Sequence, residues 1–593
     1  MEKSNFNKFP TILVEGQSCI AGWETIQATL AGKLGSEKKT KVVIAVDTYH
    51  GVCTSELIQK LGQLFAEKAV FDTAPALACE CTIDDLIQEY VTDDPVFGFV
   101  CPYSLADFFD QQKVHELQRQ ISQSVVSTLV VGIGASLMAP DADLLIYADM
   151  PRWEIQLRLR QDQLSNLGAA NGSAPFAHKY KRAFYVDWKV LDRHKKTLMN
   201  RWDYVLDTTQ PSNPKLITGA TFQKAMEATL RRPFRLVPFF DPGPWGGQWL
   251  KEVCDLDRSA VNYAWGFDCV PEENSLLFSI NGQTVEVPAL DLVFAHPVDL
   301  LGEEVFAAFS DEFPIRFDFL DTMGGGNLSL QVHPRQKYIQ EKFGMPYTQN
   351  ESYYFLDTKE DACVYLGLQE TVKPIDMVHD LTKAERGDAA FEVDTYVAKW
   401  PVKKHSHALI PAGTVHCSGA NSVVLEISAT PFNFTFKLWD WGRVGLDGQP
   451  RPISLEHGVN NIRWDYTAPW VKAHLLDQSI TVATGDGWRE ERTGLEEGSF
   501  IETRRHWFTK KVTHHTGGVV NVLNLIEGAE AIIESPTGAF DPYVVHYVET
   551  FIVPAIVGTY TIRPYGKSEG KEIGTIKAYI RTENLHPHQF VLS

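Results

Sequence analysis

"GGGNLSLQVHPRQKYIQEKFGMPYTQNESYYFLD", residues 324–357, is the stretch whose reading decides what this chain is. Its first apolar run carries one amide, Gln331, and ends on one imidazole, His333. Successive residues of a strand point to opposite faces, so a strand here projects Gln331 and His333 one way and Leu330 and Val332 the other. The next apolar run opens on Glu351, which can bring a carboxylate beside them. Further along, "HALIPAGTVHCSGANSVVLEIS" reads as a strand ending at Pro411, a turn at Gly413, and His416 at the start of the following strand. One amide oxygen, two imidazoles and one carboxylate make a mixed N/O donor set suited to Zn²⁺ and tolerable for Mn²⁺, Fe²⁺ or Co²⁺. With no thiolate among them, coordination positions stay open for water or substrate. The competing reading makes His333 and His416 hydrogen-bonded core histidines and Glu351 a solvated strand residue.

Outward from this stretch, short strands dominate from about residue 270: "SLLFSI", "QTVEVPA", "IRFDFLD", "ACVYLGL" and "FTFKLWD", then "NVLNLIEG", "EAIIES" and "IGTIKAYIR". Helical pattern is confined to "GEEVFAAFSDEF" and a stretch between 375 and 400. Many short strands with turn signals predict two tandem all-β sandwich or barrel modules, the first alone keeping polar residues inside. Residues 11–230 read differently. "TILVEG", "KVVIAVD", "STLVVGIGASLM" and "ADLLIYADM" are apolar strands separated by amphipathic helices, the pattern of a parallel sheet covered on both faces. The boundaries predicted are 1–230 for an α/β domain, 231–480 for the metal-binding β domain with a helical insertion, and 481–593 for a β domain without a metal site.

At 593 residues the chain exceeds a single core, and 44% hydrophobic with 22% charged residues is a globular composition. A net charge of −20 argues against a nucleic-acid partner, because no uncompensated basic field is available to displace counterions from a phosphate backbone. The N-terminal residues lack a signal-length apolar segment and no later run reaches the length of a membrane span, so a cytoplasmic protein with no membrane partner is expected. Nine scattered cysteines fit reduced thiols better than a disulfide framework, and Cys79 and Cys81 in "LACECT" read as structural.

"LSLQVHP", "NESYYFLD", "IPAGTVH" and "FTFKLWDWGR" occur in this order, and with the earlier "WGGQWLKE", "NYAWGFD" and "FPIRFDFLDTM" they resemble the type I phosphomannose isomerases of the cupin superfamily over roughly 240–593. The resemblance implies jelly-roll cupin modules and metal ligands at Gln331, His333, Glu351 and His416. It also implies an active-site arginine at Arg443 and isomerisation of mannose 6-phosphate to fructose 6-phosphate through an enediolate. Glu426, close to the His416 hairpin, is a candidate acid/base. Two positions depart from the family: Asp318 and Gln349 stand where lysines are expected. Arg316, on the face of Asp318, could compensate, and Lys437, Lys403 and Lys404 are further candidate cations. His405 and His407 form a rival pair without a convincing carboxylate, while the adjacent His514 and His515 would face opposite ways.

In the first domain, the succession of "VVIAVDTYHG", "VVGIGASLM", "ADLLIYADMPRWEIQLRLRQ" and "DYVLDTT" resembles the uridine kinase and phosphoribulokinase group of P-loop kinases. The expected phosphate loop falls in "TILVEGQSCIAGWETIQ", where Gly16 and Gly22 are present but Trp23 and Glu24 replace the lysine and hydroxyl residue. Asp47 reads as a capping or turn residue. A degenerate, nucleotide-free domain is expected. The alternatives are a bifunctional sugar kinase–isomerase and a non-catalytic sugar sensor.

Overall fold

The strand Val43–Thr48 lies in the middle of a parallel array, flanked by Ser127–Gly132 and then Lys68–Asp72 on one side, and by Leu144–Asp149 and then Tyr204–Asp207 on the other. Lys215–Thr218 and Ile20–Ala21 extend this sheet antiparallel to seven strands. The central strands are largely apolar because both faces are covered, and Leu144–Asp149 is buried at all six positions. Ile26 and Leu30 of the helix Trp23–Ser36 and Leu57 and Leu61 of the helix Thr54–Leu61 pack with Ile44, Val46, Leu129 and Ile146. These relations come from a computed structural model that describes residues 4–36, 39, 41–429, 434–448, 451–494, 498–583 and 585–591.

Two expectations about this region change. "TILVEG" does not lead into the parallel sheet: Thr11–Leu13 pairs instead with Ser275–Ile280 in a separate three-stranded sheet completed by Gln283–Pro288. Its exposed–buried–exposed pattern is that of a strand with one wet face, unlike the almost wholly buried Val43–Thr48. The loop around Gly16 and Gly22 therefore does not join a parallel-sheet strand to a helix. The second change is one of grouping, since the chain forms two units, Thr11–Thr229 with Ser275–Ala295, and Met1–Pro10 with Leu230–Asn274 and His296–Leu592. The hairpin 275–288, assigned from sequence to the second domain, belongs with the first.

The other unit contains two pairs of antiparallel sheets. In the first pair, a six-stranded sheet runs in the order His407–Ile410, Asn350–Thr358, Ser422–Ala429, Arg316–Asp321, Trp265–Cys269, Phe239–Asp241. Its partner runs Val397–Pro401, Cys363–Leu368, His416–Ser418, Leu330–Val332, Phe436–Trp439. The helices Gln336–Phe343 and Pro374–Glu385 are inserted between these strands. In the C-terminal pair, six strands between Ile480 and Ile580 face a four-stranded sheet of Val512–His515, Thr559–Pro564, Glu530–Glu534 and Tyr543–His546. The expectation that only the first module keeps polar residues inside is overturned: His506, His514, Thr575 and Lys577 are all buried in the second.

All nine cysteines are free thiols, and Cys79 and Cys81 are exposed rather than structural. Among the described residues no helix is long and apolar enough to cross a membrane.

Candidate metal centre

The strand Leu330–Val332 is short, and its register places the site. Gln331 sits opposite His416 on one side and opposite Lys437 on the other. Directly opposed residues of an antiparallel ladder share a face, so all three project together, and His333 follows two residues on. Glu351 comes from the other sheet, where it lies between Ile410 and Ser428. Side chains from two facing sheets thus meet in the interior, and all four proposed ligands are buried.

The Glu351 carboxylate reaches both imidazoles, with Oε2 3.1 Å from His333 Nε2 and Oε1 3.0 Å from His416 Nε2. The Gln331 amide lies 3.3 Å from His416 Nε2, and a half-turn of that amide presents its oxygen instead. The other ring nitrogens are engaged: His416 Nδ1 lies 2.8 Å from the Thr414 carbonyl and His333 Nδ1 3.2 Å from that of Phe434. A carbonyl only accepts, so each Nδ1 carries a proton, and each Nε2 is left pointing at a carboxylate oxygen. Two imidazole nitrogens converging on one buried carboxylate are held by positive charge, carried by the rings as protons or by a cation shared among the three groups. His333 Nε2 and Glu351 Oε1 are indeed buried without hydrogen-bond partners. The donor atoms of His333, Glu351 and His416 lie within 4.8 Å of one another. The residues fit a divalent cation. Burial works against ionising Glu351, but the imidazoles of His333 and His416 outweigh it and hold the carboxyl well below the usual range.

Around these ligands the charge is acidic. Gln349, at one of the expected lysine positions, donates to Glu351 Oε2 at 2.6 Å and to Glu426 Oε1 at 3.3 Å. Glu426 stands opposite Asp318 and Tyr353 on adjacent strands. Burial, then the charges of Asp318 and Glu351, push the Glu426 carboxyl well above its ordinary range. Asp318 is pushed up to about 8 by burial and by Glu351, against the pull of Arg316. Arg316 is already ion-paired with Glu272 and does not stand as a free cation for a substrate.

The structure divides the two cations of "FKLWDWGR" differently from the sequence reading. Arg443 donates to the carbonyls of Asn327 and Asp440 and pairs with the Asp440 carboxylate at 2.5 Å, which also receives Arg451 at 2.6 Å. It fastens the loop preceding the ligand strand. Lys437, which the sequence offered only as one of several further candidate cations, is the one paired with the ligand strand opposite Gln331, with its ammonium lowered to about 8 by burial and by Arg451. A lone lysine between Phe436 and Leu438 was the available signal. Lys404 is tied to Glu527 and Lys403 is exposed. His405 contacts the Tyr354 hydroxyl at 3.0 Å and Glu527 at 3.1 Å, and its positive φ precedes rather than extends the strand His407–Ile410. His407 is buried with both ring nitrogens unpartnered and its imidazole lowered by burial to about 3. Neither belongs to the metal cluster.

In the N-terminal unit, Asp47 accepts from the backbone of Gly134 at 3.1 Å and Ser136 at 2.9 Å, and lies 3.0 Å from His194 Nε2. It caps the helical turn Ala135–Met138 from a distance. Amides at the carboxyl ends of parallel strands, where such sheets bind ligands, are here occupied by the chain's own carboxylate.

Comparison with known proteins adds a context for each part. Residues 22–231 match a family described as a domain of unknown function (DUF8485). The mannose-6-phosphate isomerase of Streptococcus mutans serotype c is 25% identical over 246 residues, 40% of this chain and 72% of that protein. Mannose-6-phosphate isomerase ManA of Bacillus subtilis is 26% identical over 231 residues, 39% of this chain and 68% of that one. The crystal structure of the mannose 6-phosphate isomerase from Bacillus subtilis aligns at 20% identity over 59% of this chain and 99% of its own, with a TM-score of 0.47.

Proposed function

We propose that this chain is a metal-dependent aldose–ketose isomerase acting at Gln331, His333, Glu351 and His416, with mannose 6-phosphate and fructose 6-phosphate as the pair it interconverts. The observation that carries this reading is the convergence of the His333 and His416 imidazole nitrogens and the Glu351 carboxylate inside the barrel. The relatives of similar sequence are named as mannose-6-phosphate isomerases, which supports the same chemistry. A divalent ion supplies Lewis-acid stabilisation of negative charge as it develops on neighbouring sugar oxygens.

The chain's own groups do the rest. Moving a hydrogen between C1 and C2 of a sugar needs a group that takes a proton from one carbon and returns it to the other. Glu426 and Asp318 face each other across the ladder and cannot both be ionised cheaply, so one carboxyl carries a proton while the other accepts one. We assign the transfer to a Glu426 carboxyl oxygen. The Gln349 amide orients it through the hydrogen bond to Oε1. Lys437, on the ligand face of its strand, supplies positive charge toward a substrate oxygen. Burial of the whole set keeps bulk water from quenching the intermediate charge.

For the N-terminal unit we infer a kinase-like sheet that binds no nucleotide, because Trp23 and Glu24 stand where a phosphate loop needs a lysine and a hydroxyl residue, and Asp47 occupies the amides of Gly134 and Ser136. A calorimetric titration with ATP is expected to give no heat, and tight binding would refute this.

The main test couples elemental analysis to isomerase assays on mannose 6-phosphate and on free mannose. The expected result is about one divalent ion per chain, lost with the activity in His416→Ala, since a four-ligand site cannot spare one. A fully active His416→Ala protein would refute the assignment. Sugar binding without turnover by the metal-loaded protein would instead favour a sensor.

A further inference from the structure

The interior of the C-terminal pair of sheets is apolar at one end, where Phe508, Leu523, Leu525, Phe551, Ile562 and Ile573 pack together. Along the same strands the inward face then changes character. Phe508 pairs with Ile573, His506 with Thr575, and Arg504 with Lys577. Paired residues share a face and the side-chain period is two, so these six point the same way. On the next strand Glu490 lies opposite His506 and Arg492 opposite Arg504. The facing sheet contributes His514, which alternates with the exposed Thr513 and His515. Its ring centre is 4.7 Å from that of His506 and stacks on Tyr560 at 5.3 Å.

A finished core does not leave such groups unsatisfied. Here His506 Nδ1, His514 Nε2 and Thr575 Oγ1 are buried with no hydrogen-bond partner. Lys577 is 9% exposed and lies 5.3 Å from the Tyr579 ring; among the described residues no carboxylate is within ion-pair distance of its ammonium. Burial lowers that ammonium to about 8. Nearby, Glu502 is held by Arg492 at 3.0 Å and by Arg504 and Arg581 at 2.7 Å each. Glu490 is 3.3 Å from His506 Nε2 and 3.9 Å from Arg504. Among the described residues Arg492, Arg504 and Lys577 therefore meet two carboxylates, Glu490 and Glu502, in a chain whose net charge is −20. A local cationic excess with unpartnered donors on an otherwise acidic protein is what recognition of an oxyanion requires.

We propose that the polar end of the C-terminal barrel binds a phosphate-type oxyanion, free or carried on a sugar, between Lys577, Thr575, His514 and His506. The ammonium, the hydroxyl and the His514 N–H donate to its oxygens. A monoprotonated phosphate also retains an O–H that can donate to Nδ1 of His506, whose other nitrogen faces Glu490. This site is separate from the metal ligands and does not depend on the isomerase reading.

The test is calorimetric titration of inorganic phosphate, fructose 6-phosphate and unphosphorylated mannose into full-length His416→Ala protein, so that failure of the metal site cannot be mistaken for failure of this one. Phosphate or the sugar phosphate is expected to bind, mannose is not, and Lys577→Met is expected to weaken binding by about tenfold or more. Heat with inorganic phosphate identifies the free ion as sufficient; heat with fructose 6-phosphate alone identifies the ester. Absence of heat with both up to about 10 mM, or equal affinity in Lys577→Met, overturns the proposal. Should Lys577→Met fail to fold by circular dichroism, Thr575→Val and His514→Gln carry the comparison, and unchanged affinity in both overturns it.

Discussion

Lys437 and Arg443 stand six residues apart on one segment, and their environments assign them different work. Lys437 is half-buried opposite Gln331, whereas Arg443 spends its donors on Asn327 and Asp440. Lys437→Met is expected to lower kcat/KM by about 100-fold, the scale of losing one group that meets developing charge, with little loss of thermal stability. Arg443→Ala is expected to cost about 1–3 kcal/mol of stability by releasing its buried partners while retaining the metal. Kinetics and melting on the two variants check this, and an exchange of the two outcomes would return the role to Arg443. Glu426→Gln is expected to keep its metal and lose about 10²–10⁴-fold in kcat, read by turnover at saturating sugar phosphate. The proposed ligands were legible in the sequence because each is a polar residue set among strand apolars. Lys437 was not, because a lone lysine on a strand reads as surface until the neighbouring strand is known.

At the scale of elements, the turn at Gly413 ties the two ligand strands together. Its φ of +92° suits glycine, and its N–H donates to the His333 carbonyl at 3.0 Å. A Cβ there would lie 2.9 Å from the Asn461 carbonyl oxygen and 2.6 Å from Arg463 Cγ. Gly413→Ala is therefore expected to cost at least about 1 kcal/mol and to weaken metal binding, as measured by competition with a chelator. In the N-terminal unit, the strand Gln283–Pro288 carries the half-buried Glu286, whose Oε1 accepts from Trp153 at 2.8 Å and from Ser275. Burial raises its carboxyl from 4.5 to about 7. Between those values the native protein holds a proton that the unfolded chain has released, so stability falls as pH rises through this window and the loss is complete above it. Glu286→Gln is expected to be more stable than the parent at pH 8, by on the order of 3 kcal/mol, and to show no advantage at pH 4. Unfolding curves at the two pH values decide it. Most strands from 316 to 439 could be placed by alternation alone. "TILVEG" was misplaced because three residues carry too little periodicity to tell an edge strand from a central one.

At the scale of the molecule, the chain leaves the N-terminal unit at Thr229 and returns to it for Ser275–Ala295. Leu276, Phe278 and Ile280 are fully buried there, the Glu286 N–H donates to Asp207, and Asp291 pairs with Lys195 at 2.9 Å. A fragment beginning at residue 231 would carry this hairpin without its partners and leave the Asp291 carboxylate unpaired. It is expected to be less soluble and to melt below the full-length protein, compared by sedimentation and calorimetry; equal behaviour would show that the two units divide near residue 230 after all.

The sequence by itself determined the alternation of strand and helix before residue 230, the β-rich remainder, and the four polar residues proposed as metal ligands, because periodicity and a polar side chain stranded in an apolar run are local properties. Tertiary structure alone decided which cation faces those ligands, where the hairpin 275–288 belongs, and that the C-terminal barrel also buries polar groups. Each of these depends on which strand lies beside which, and pairing between distant segments is set by packing rather than by residues within reach of one another along the chain.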